Sequence, residues 1–274
     1  MNTQLIVKIL TDAGIEENEA KKEVEMLIEH FCKITPEDLI RGYVLSAEQL
    51  ELIKTKAAKR AENRIPIQYI TGQAWFMGDY YKVTPDVLIP RDETEILARE
   101  AIQMIKENNL SDVLDIGTGS GCIACSVAKN TNATVLGVDI SSDALRIALD
   151  NVTKLGINNK AIFRKSDLFD KIRSGEKFDL IISNPPYIPR GTILEPEIGY
   201  EPEGALFAGE NGLEYYRKII EKAPLYLKQG GYLMFELGIN ESGDVRKFME
   251  KDFKNIYTIK DLSNIDRVIA GILK

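Results

Sequence analysis

The stretch "VLDIGTGSGCIA", residues 113–124, joins a short apolar run to a helical segment through three glycines. Gly117, Gly119 and Gly121 allow a tight turn and the close approach of a ligand, because glycine adopts positive φ angles without steric penalty. A dinucleotide fingerprint would need a further glycine where this chain has Cys122, and a phosphate-binding P-loop would need a lysine followed by Ser or Thr. The loop therefore predicts a ligand site, but neither a dinucleotide fingerprint nor a phosphate-binding P-loop.

Apolar runs alternate with helical segments from residue 112 onward. The runs are "DVLDIG", "ATVLGVDI", "AIFRKS", "FDLIIS" and "GYLMFEL". This alternation predicts a doubly wound α/β fold, a parallel sheet with helices on both faces. The last two runs, "NIYTIKDL" and "DRVIAGIL", are separated by "SNI" alone. Because so short a link cannot carry a parallel crossover, they are expected to form an antiparallel hairpin at the sheet edge.

The chain upstream of this region has a different pattern. Residues 1–72 carry apolar residues at helical spacing and predict an all-α domain of about four short helices. Ser46 with Gln49 forms a capping box at one helix start, and Thr35 followed by proline marks another. Residues 73–90, rich in aromatic and β-branched residues, predict a hairpin-like connector. The α/β domain then covers residues 91–274.

Acidic residues follow the second and third strands of the predicted sheet. Asp139 lies where a doubly wound fold places a carboxylate for ribose hydroxyls, and a carboxylate accepts hydrogen bonds from a vicinal diol. Asp167 is placed to accept from an exocyclic amine, and Leu168 to pack on a base. Each feature alone also fits a loop or a helix cap. Three strand ends at one edge together favour a nucleoside ligand without a diphosphate.

The stretch "SNPPYIP", residues 183–189, follows the fourth strand. The Asn184 side chain offers an acceptor and a donor, while Pro185 and Pro186 lack an N–H, so their carbonyls are free to accept. Tyr187 supplies a flat face. We expect the Asn184 oxygen and the Pro185 carbonyl to hold the two hydrogens of an –NH2 group while Tyr187 stacks on the substrate plane. The plain alternative is a proline-rich turn leaving a strand.

The remaining chemistry-bearing residues favour structural roles. The pair Cys122 and Cys125 has no second pair or nearby histidine, so packing is favoured over a metal or redox site, and no metal is expected. His30 is the single histidine, which argues against histidine-based acid–base catalysis.

Composition is that of an ordinary globular protein. The 274 residues are 44% hydrophobic and 28% charged, with a net charge of -7, which disfavours a tight, sequence-independent grip on nucleic acid. Three cysteines fit a reducing compartment. With neither a signal-peptide pattern nor an apolar run of membrane-spanning length, we expect a soluble, cytoplasmic protein.

Several motifs carry a family resemblance. "DIGTGSG", "GVDIS" and "NPPY" together resemble class I S-adenosylmethionine-dependent methyltransferases of the amino-methylating group, which includes adenine N6 DNA methyltransferases and protein glutamine methyltransferases. Residues 66–95, 183–189 and 200–219 resemble the release-factor glutamine methyltransferase family of PrmC/HemK type. The motifs occur in the family's order, and the resemblance spans nearly the whole chain.

The resemblance implies a fold and a reaction. The fold would be a mostly parallel seven-stranded methyltransferase sheet with an antiparallel terminal hairpin, preceded by a small all-α domain that recognises the substrate. The reaction would transfer methyl from S-adenosylmethionine to the side-chain amide nitrogen, N5, of the glutamine in the Gly-Gly-Gln motif of class 1 peptide chain release factors, leaving S-adenosylhomocysteine. The expected partner is the release factor, and the expected state is a monomer.

The resemblance also implies site residues. Asn184, Pro185 and Tyr187 would be catalytic, and with Pro186 they would bind the substrate. The cofactor positions would be Gly117, Thr118, Gly119, Ser120, Gly121, Asp139, Asp167, Leu168 and Asn184. Two positions depart from the family pattern. Asp92 stands where a second proline is usual, which affects the rigidity of that loop, and Leu168 stands where a larger residue is common, which affects adenine packing.

Two rival functions remain open on the sequence. A nucleic-acid amino methyltransferase acting on adenine N6 is disfavoured by the acidic charge and by the lack of an identifiable base-recognition domain. A non-enzymatic scaffold that kept the fold is disfavoured by intact Asp139 and Asn184.

Overall fold

The computed structural model describes residues 3–274, which separate into two compact units. The first comprises the described residues up to Gln73 together with Leu194–Tyr200. The second comprises Ala74–Ile193 and Glu201–Lys274. The chain therefore leaves the second unit after "SNPPYIP", contributes a short segment to the first, and returns.

The first unit is helical around one apolar core. Its helices are α1 (Thr3–Asp12), α2 (Glu17–Cys32), α3 (Pro36–Ile40), α4 (Ala47–Asn63) and α5 (Ile67–Thr71). The capping box of Ser46 and Gln49 begins α4, and Thr35 caps α3 ahead of proline, as the sequence predicted. The short helix α5 is one more than the pattern indicated, because its five residues are too few to show a helical period.

A buried charge cluster lies inside this helical unit. The Arg60 side chain is 2% exposed; its Nε lies 3.0 Å from Glu23 Oε1, and its Nη1 lies 2.8 Å from Glu197 Oε1. Arg64 donates to the same Glu197 oxygen at 2.6 Å. Since Glu197 lies in the segment Leu194–Tyr200, these ion pairs hold that segment in the first unit.

The second unit contains a seven-stranded sheet and most of a two-stranded sheet, whose first residue, Gln73, belongs to the first unit. The small sheet pairs β1 (Gln73–Phe76) with β2 (Asp79–Lys82). The strands of the large sheet are β3 (Asp112–Ile116), β4 (Thr134–Asp139), β5 (Ala161–Lys165), β6 (Phe178–Ser183), β7 (Leu227–Glu236), β8 (Phe253–Lys260) and β9 (Asp266–Leu273). Their order is β5-β4-β3-β6-β7-β9-β8.

The pairing within the large sheet confirms the predicted fold class. Strands β3 to β7 pair in parallel, whereas β9 is antiparallel to both β7 and β8. The surrounding helices are α6 (Thr94–Asn108), α7 (Cys122–Asn130), α8 (Ser142–Leu155), α9 (Glu203–Leu206), α10 (Glu214–Lys222) and α11 (Ser242–Met249). Neighbouring residues Val113 and Leu114 belong to two separate core clusters, because alternate side chains of β3 face opposite sides of the sheet.

The strand order determines where a ligand can bind. Successive strands extend from β3 through β4 to β5 on one side, and β6 lies on the other side of β3. In an open α/β sheet the crevice at such a reversal, outside the carboxyl ends of the strands, is the preferred ligand site. The glycine loop after β3 and the "NPPY" stretch after β6 both begin at this edge.

Candidate active site

The glycine loop is built by hydrogen bonds to the neighbouring strand. The amides of Gly117 and Thr118 donate to the Val138 carbonyl at 2.9 and 3.0 Å. Gly117 has φ +74°, a conformation that favours glycine, and a Cβ there would lie 3.9 Å from the Asn184 carbonyl. At Gly121, with φ +78°, a Cβ would crowd Phe163 at 3.1 Å. The loop thus needs glycine for backbone conformation and for close packing.

A cleft opens above this loop at the carboxyl ends of the strands, and it brings together most of the predicted site residues. Those in its lining are Gly117, Gly119, Asp139, Asp167, Leu168, Asn184, Pro185 and Pro186. They come from the ends of β3, β4, β5 and β6, four strands that are consecutive in the chain. The cleft also takes lining from the stretch before α6 and from the region around α9.

Four predicted site residues lie outside the cleft lining. Thr118 and Ser120 are buried, and Gly121 is the N-cap of α7. The Thr118 hydroxyl donates to Asp115 Oδ2 at 2.6 Å, and the Ser120 carbonyl accepts from Asn151 Nδ2 at 2.9 Å. These residues hold the loop in shape from behind. The fourth, Tyr187, is described below.

Asp139 is held by the loop that it faces. Its Oδ2 accepts from the Gly119 amide at 2.9 Å and its Oδ1 from the Ser141 amide at 2.8 Å. Burial raises the pKa of Asp139, and these backbone donors oppose that rise. Each carboxylate oxygen has more than one acceptor site, so a vicinal diol can still bind. The Asp139 carboxylate therefore fits the ribose hydroxyls of a nucleoside.

Asp115 lies beneath the loop as a second buried carboxyl group. Burial raises its pKa to about 7, and the Thr118 hydroxyl opposes this shift. Within the described part of the chain, its Oδ1 has no hydrogen-bond partner. Asp115 lies outside the cleft lining, in contact with the back of the loop.

Asn184 is oriented by a residue that sequence reasoning did not single out. Its Nδ2 donates to the Thr94 hydroxyl at 3.2 Å, which leaves Oδ1 as the free acceptor. Thr94 begins α6 and is buried. The signal available in the sequence was the stretch "IPRDETE", which contains Thr94.

Tyr187 points towards the interior of the second unit. Its hydroxyl donates to Glu236 Oε1 at 3.4 Å, and a Cβ on Gly238 would lie 2.9 Å from its ring. Burial raises the pKa of Tyr187, and the nearby Glu236 adds to this effect. Glu236 was also missed, although a carboxylate at the end of the apolar run "GYLMFEL" is the kind of residue that marks a site.

Glu201 connects two of the family-like stretches. Its buried carboxylate accepts from the Ile89 amide at 2.9 Å and from the Arg91 guanidinium. Pro202 and Ala205, which follow it, line the cleft. These contacts tie this part of the cleft lining to the stretch that precedes α6.

The pair of cysteines after the glycine loop lies in the interior of the second unit. Cys122 and Cys125 are buried on α7, and burial raises the pKa of Cys122 to about 12, which keeps its thiol protonated. Among residues 3–274, no group of three or more His, Cys, Asp and Glu side chains is arranged to hold a metal ion. In the same part of the chain, no helix combines the length and the apolar character needed to cross a membrane.

Known proteins are similar to this chain in sequence and in fold. Residues 107–267 match the methyltransferase domain family, and residues 4–72 match the PrmC N-terminal domain family. The release factor glutamine methyltransferase of Geobacter sulfurreducens is 39% identical over 96% of this chain and 92% of its own. That of Bacillus subtilis (strain 168) is 35% identical over 96% of this chain and 94% of its own.

Among solved structures, a methyltransferase from Pyrococcus furiosus superimposes with a TM-score of 0.52 at 19% identity. It covers 83% of this chain and 98% of its own, and at this identity the likeness shows a shared fold. The sequence relatives carry further information, because their similarity extends through both units and over nearly all of each protein. On that basis the chain belongs to the release factor glutamine methyltransferase family.

Proposed function

We propose that this protein transfers a methyl group from S-adenosylmethionine to the side-chain amide nitrogen, N5, of the glutamine in the Gly-Gly-Gln motif of class 1 peptide chain release factors. One observation carries the proposal: Asn184 and Pro185 line the same cleft as Gly117 and Asp139. An acceptor pair for an –NH2 group thus lies beside a site that fits a nucleoside. Membership of the family supports the choice of substrate.

The glycine-loop side of the cleft binds the cofactor. Asp139 accepts from the ribose hydroxyls, Asp167 accepts from the adenine amine, and Leu168 packs on the base. When bound, S-adenosylmethionine supplies an electrophilic methyl group. Gly117 and Gly119 let the ligand lie close to the backbone, because neither has a side chain to fill the cleft.

The Asn184 side of the cleft activates the amide nitrogen. An amide is a poor nucleophile because resonance delocalises the nitrogen lone pair. The Asn184 side-chain oxygen and the Pro185 carbonyl accept the two N–H groups, which increases electron density on nitrogen as attack begins. Pro185 and Pro186 keep this corner stiff, and a substrate nitrogen held in a fixed position there would react over a lower barrier. Tyr187 follows this corner, and its hydroxyl donates to Glu236 behind the cleft lining.

The release factor is the proposed partner, and residues 1–72 form the domain that recognises it, followed by the connector 73–90 and the catalytic domain 91–274. We also infer a monomer that acts in the cytoplasm, and nucleic acid is disfavoured as a substrate. The free thiols of Cys32, Cys122 and Cys125 support a reducing compartment, and the net charge of -7 opposes a nucleic-acid substrate.

The direct test is mass spectrometry of the release-factor peptide that contains Gly-Gly-Gln, after incubation with the enzyme and S-adenosylmethionine. We expect one added methyl group on the glutamine side chain. A matched release factor with glutamate in place of that glutamine lacks the amide nitrogen and should remain unmodified. Transfer of labelled methyl to DNA or RNA, with none on the release factor, would instead assign the enzyme to nucleic-acid amino methylation.

Asp139→Ala should weaken cofactor binding. A hydrogen bond to a charged group contributes about 1.5–3 kcal/mol, so the Kd for S-adenosylmethionine should rise by about 10- to 100-fold. Isothermal titration calorimetry measures this Kd directly. Asp143→Ala, an exposed carboxylate on α8, serves as the control and should leave the Kd unchanged. Equal Kd values for Asp139→Ala and the parent protein would remove the assigned role of Asp139.

A further inference from the structure

A buried polar cluster lies directly behind Asn184. It consists of Thr94 at the start of α6, Glu236 at the end of β7 and the Tyr187 hydroxyl. Thr94 is 3% exposed and Glu236 is 2% exposed. Asn184 reaches this cluster through its Nδ2, which lies 3.2 Å from the Thr94 hydroxyl oxygen. The catalytic amide is thus tied to residues from two other elements of the fold.

The direction of the hydrogen bonds in this cluster is set by chemistry. A hydroxyl group donates one proton, whereas an ionised carboxylate can only accept. Glu236 Oε2 is buried without a hydrogen-bond partner among the described residues. Burial raises the pKa of Glu236 to about 7, and the Thr94 and Tyr187 hydroxyls oppose this rise because they favour the ionised form. An ionised Glu236 can only accept, so it draws the Thr94 proton, and the Thr94 lone pairs then remain to accept from Asn184 Nδ2.

This direction selects one orientation of the Asn184 amide. With Nδ2 towards Thr94, Oδ1 is available to the substrate. In the flipped amide, Oδ1 would compete with Glu236 for the Thr94 proton. Nδ2 would then present N–H groups to the –NH2 of the substrate, so that donors would face donors. The two orientations of an Asn side chain have nearly the same shape, so the hydrogen-bond network decides between them.

We propose that Thr94 and Glu236 are positioning residues that hold the Asn184 amide with its oxygen towards the substrate nitrogen. They act through Asn184 and touch neither substrate nor cofactor. The inference rests on the proposed function for its kinetic consequence. Its structural consequence, a fixed Asn184 side chain, holds in the protein without any ligand.

The first experiment compares Thr94→Val with Thr94→Ser. Valine has nearly the shape of threonine but lacks the hydroxyl, whereas serine keeps the hydroxyl. We expect Thr94→Val to lower kcat for release-factor methylation by about tenfold or more, since small misplacement of a catalytic group has large effects. KM for S-adenosylmethionine should change by less than about twofold. Thr94→Ser should retain most of the parent kcat.

Glu236→Gln supplies a signature that a purely structural role would not produce. The Gln amide can donate to Thr94 as well as accept, so Thr94 is no longer forced to accept from Asn184. We expect kcat to fall while Tm stays the same or rises, because the variant removes a buried carboxyl group. A parallel fall in kcat and Tm would instead indicate lost packing and count against the proposal.

A second readout is independent of activity. In protein labelled with 15N-asparagine, the Asn184 side-chain signal is identified by its loss in Asn184→Ala, and the exchange of its protons with solvent is measured without ligand. We expect exchange to accelerate by about tenfold in Thr94→Val and to stay near the parent rate in Thr94→Ser. Unchanged exchange and unchanged kcat in Thr94→Val would overturn the proposal. If the parent enzyme methylated no release factor, the proposed function would fail, and the exchange measurement would still decide the positioning role.

Discussion

Asn184→Ala is expected to lower kcat for glutamine methylation by about 10²- to 10³-fold, the range seen when one preorganised hydrogen-bonding group at a developing charge is removed. The alanine variant loses the side-chain oxygen that accepts from the substrate –NH2, but keeps the Pro185 carbonyl. The Kd for S-adenosylmethionine should change much less than kcat, because Asp139 and the glycine loop are unaffected. Single-turnover kinetics together with calorimetry separate the two quantities.

The control for this variant is Asn159→Ala, which alters an exposed asparagine in the turn after α8. It should retain the parent kcat and the parent Kd. An Asn184→Ala enzyme that turned over within about twofold of the parent would show that the amide makes no contribution to the transition state. The substrate nitrogen would then have to be held by other groups in the cleft.

Arg60→Met should destabilise the helical unit strongly. Arg60 and Glu23 are 2% and 5% exposed, respectively. Removing one partner of a buried ion pair leaves an uncompensated charge and lowers the free energy of unfolding by about 3–5 kcal/mol. Because Glu197 keeps its contact with Arg64, the buried charge left without a partner is mainly that of Glu23. Urea denaturation of the full chain, followed by circular dichroism, measures the change, and Lys59→Met, exposed on the same helix, is the control.

The pH dependence of this variant identifies the cause. Burial raises the pKa of Glu23 above its ordinary value of 4.5, and Arg60 opposes that rise. Without Arg60 the pKa should rise further. A carboxyl group with a raised folded-state pKa favours the folded state at low pH, and its stabilisation is lost as the pH rises through that pKa. The loss of unfolding free energy in Arg60→Met should therefore become smaller as the pH is lowered from neutral to 4.5.

A double variant tests the same explanation at constant pH. Arg60→Met combined with Glu23→Leu removes both charges, and buried ion pairs replaced by apolar residues are often neutral or stabilising. The double variant should be more stable than Arg60→Met alone. If both variants were equally unstable, lost packing of the Arg60 side chain would be responsible, and the buried charge would not.

Local patterns carried much of the information about the fold and the reaction. The glycine spacing at residues 117–121 reports a backbone requirement, and apolar runs report strands, because both depend on near neighbours in the chain. The acidic residue after β4 and the "NPPY" stretch after β6 could be placed at one edge, because parallel strands bring their carboxyl ends together. The family resemblance then rested on the order of these motifs.

Other features were decided by the tertiary structure alone. Arg60 pairs with Glu197, which is 137 positions away in the sequence, and Asn184 donates to Thr94, which is 90 positions away. Arg60 stands among several lysines on α4, a composition that is typical of a solvated helix face, yet its side chain is buried. Tyr187, expected at the substrate, reaches Glu236. A sequence states which donors and acceptors exist, but which of them meet depends on how distant elements pack, and no local propensity encodes that.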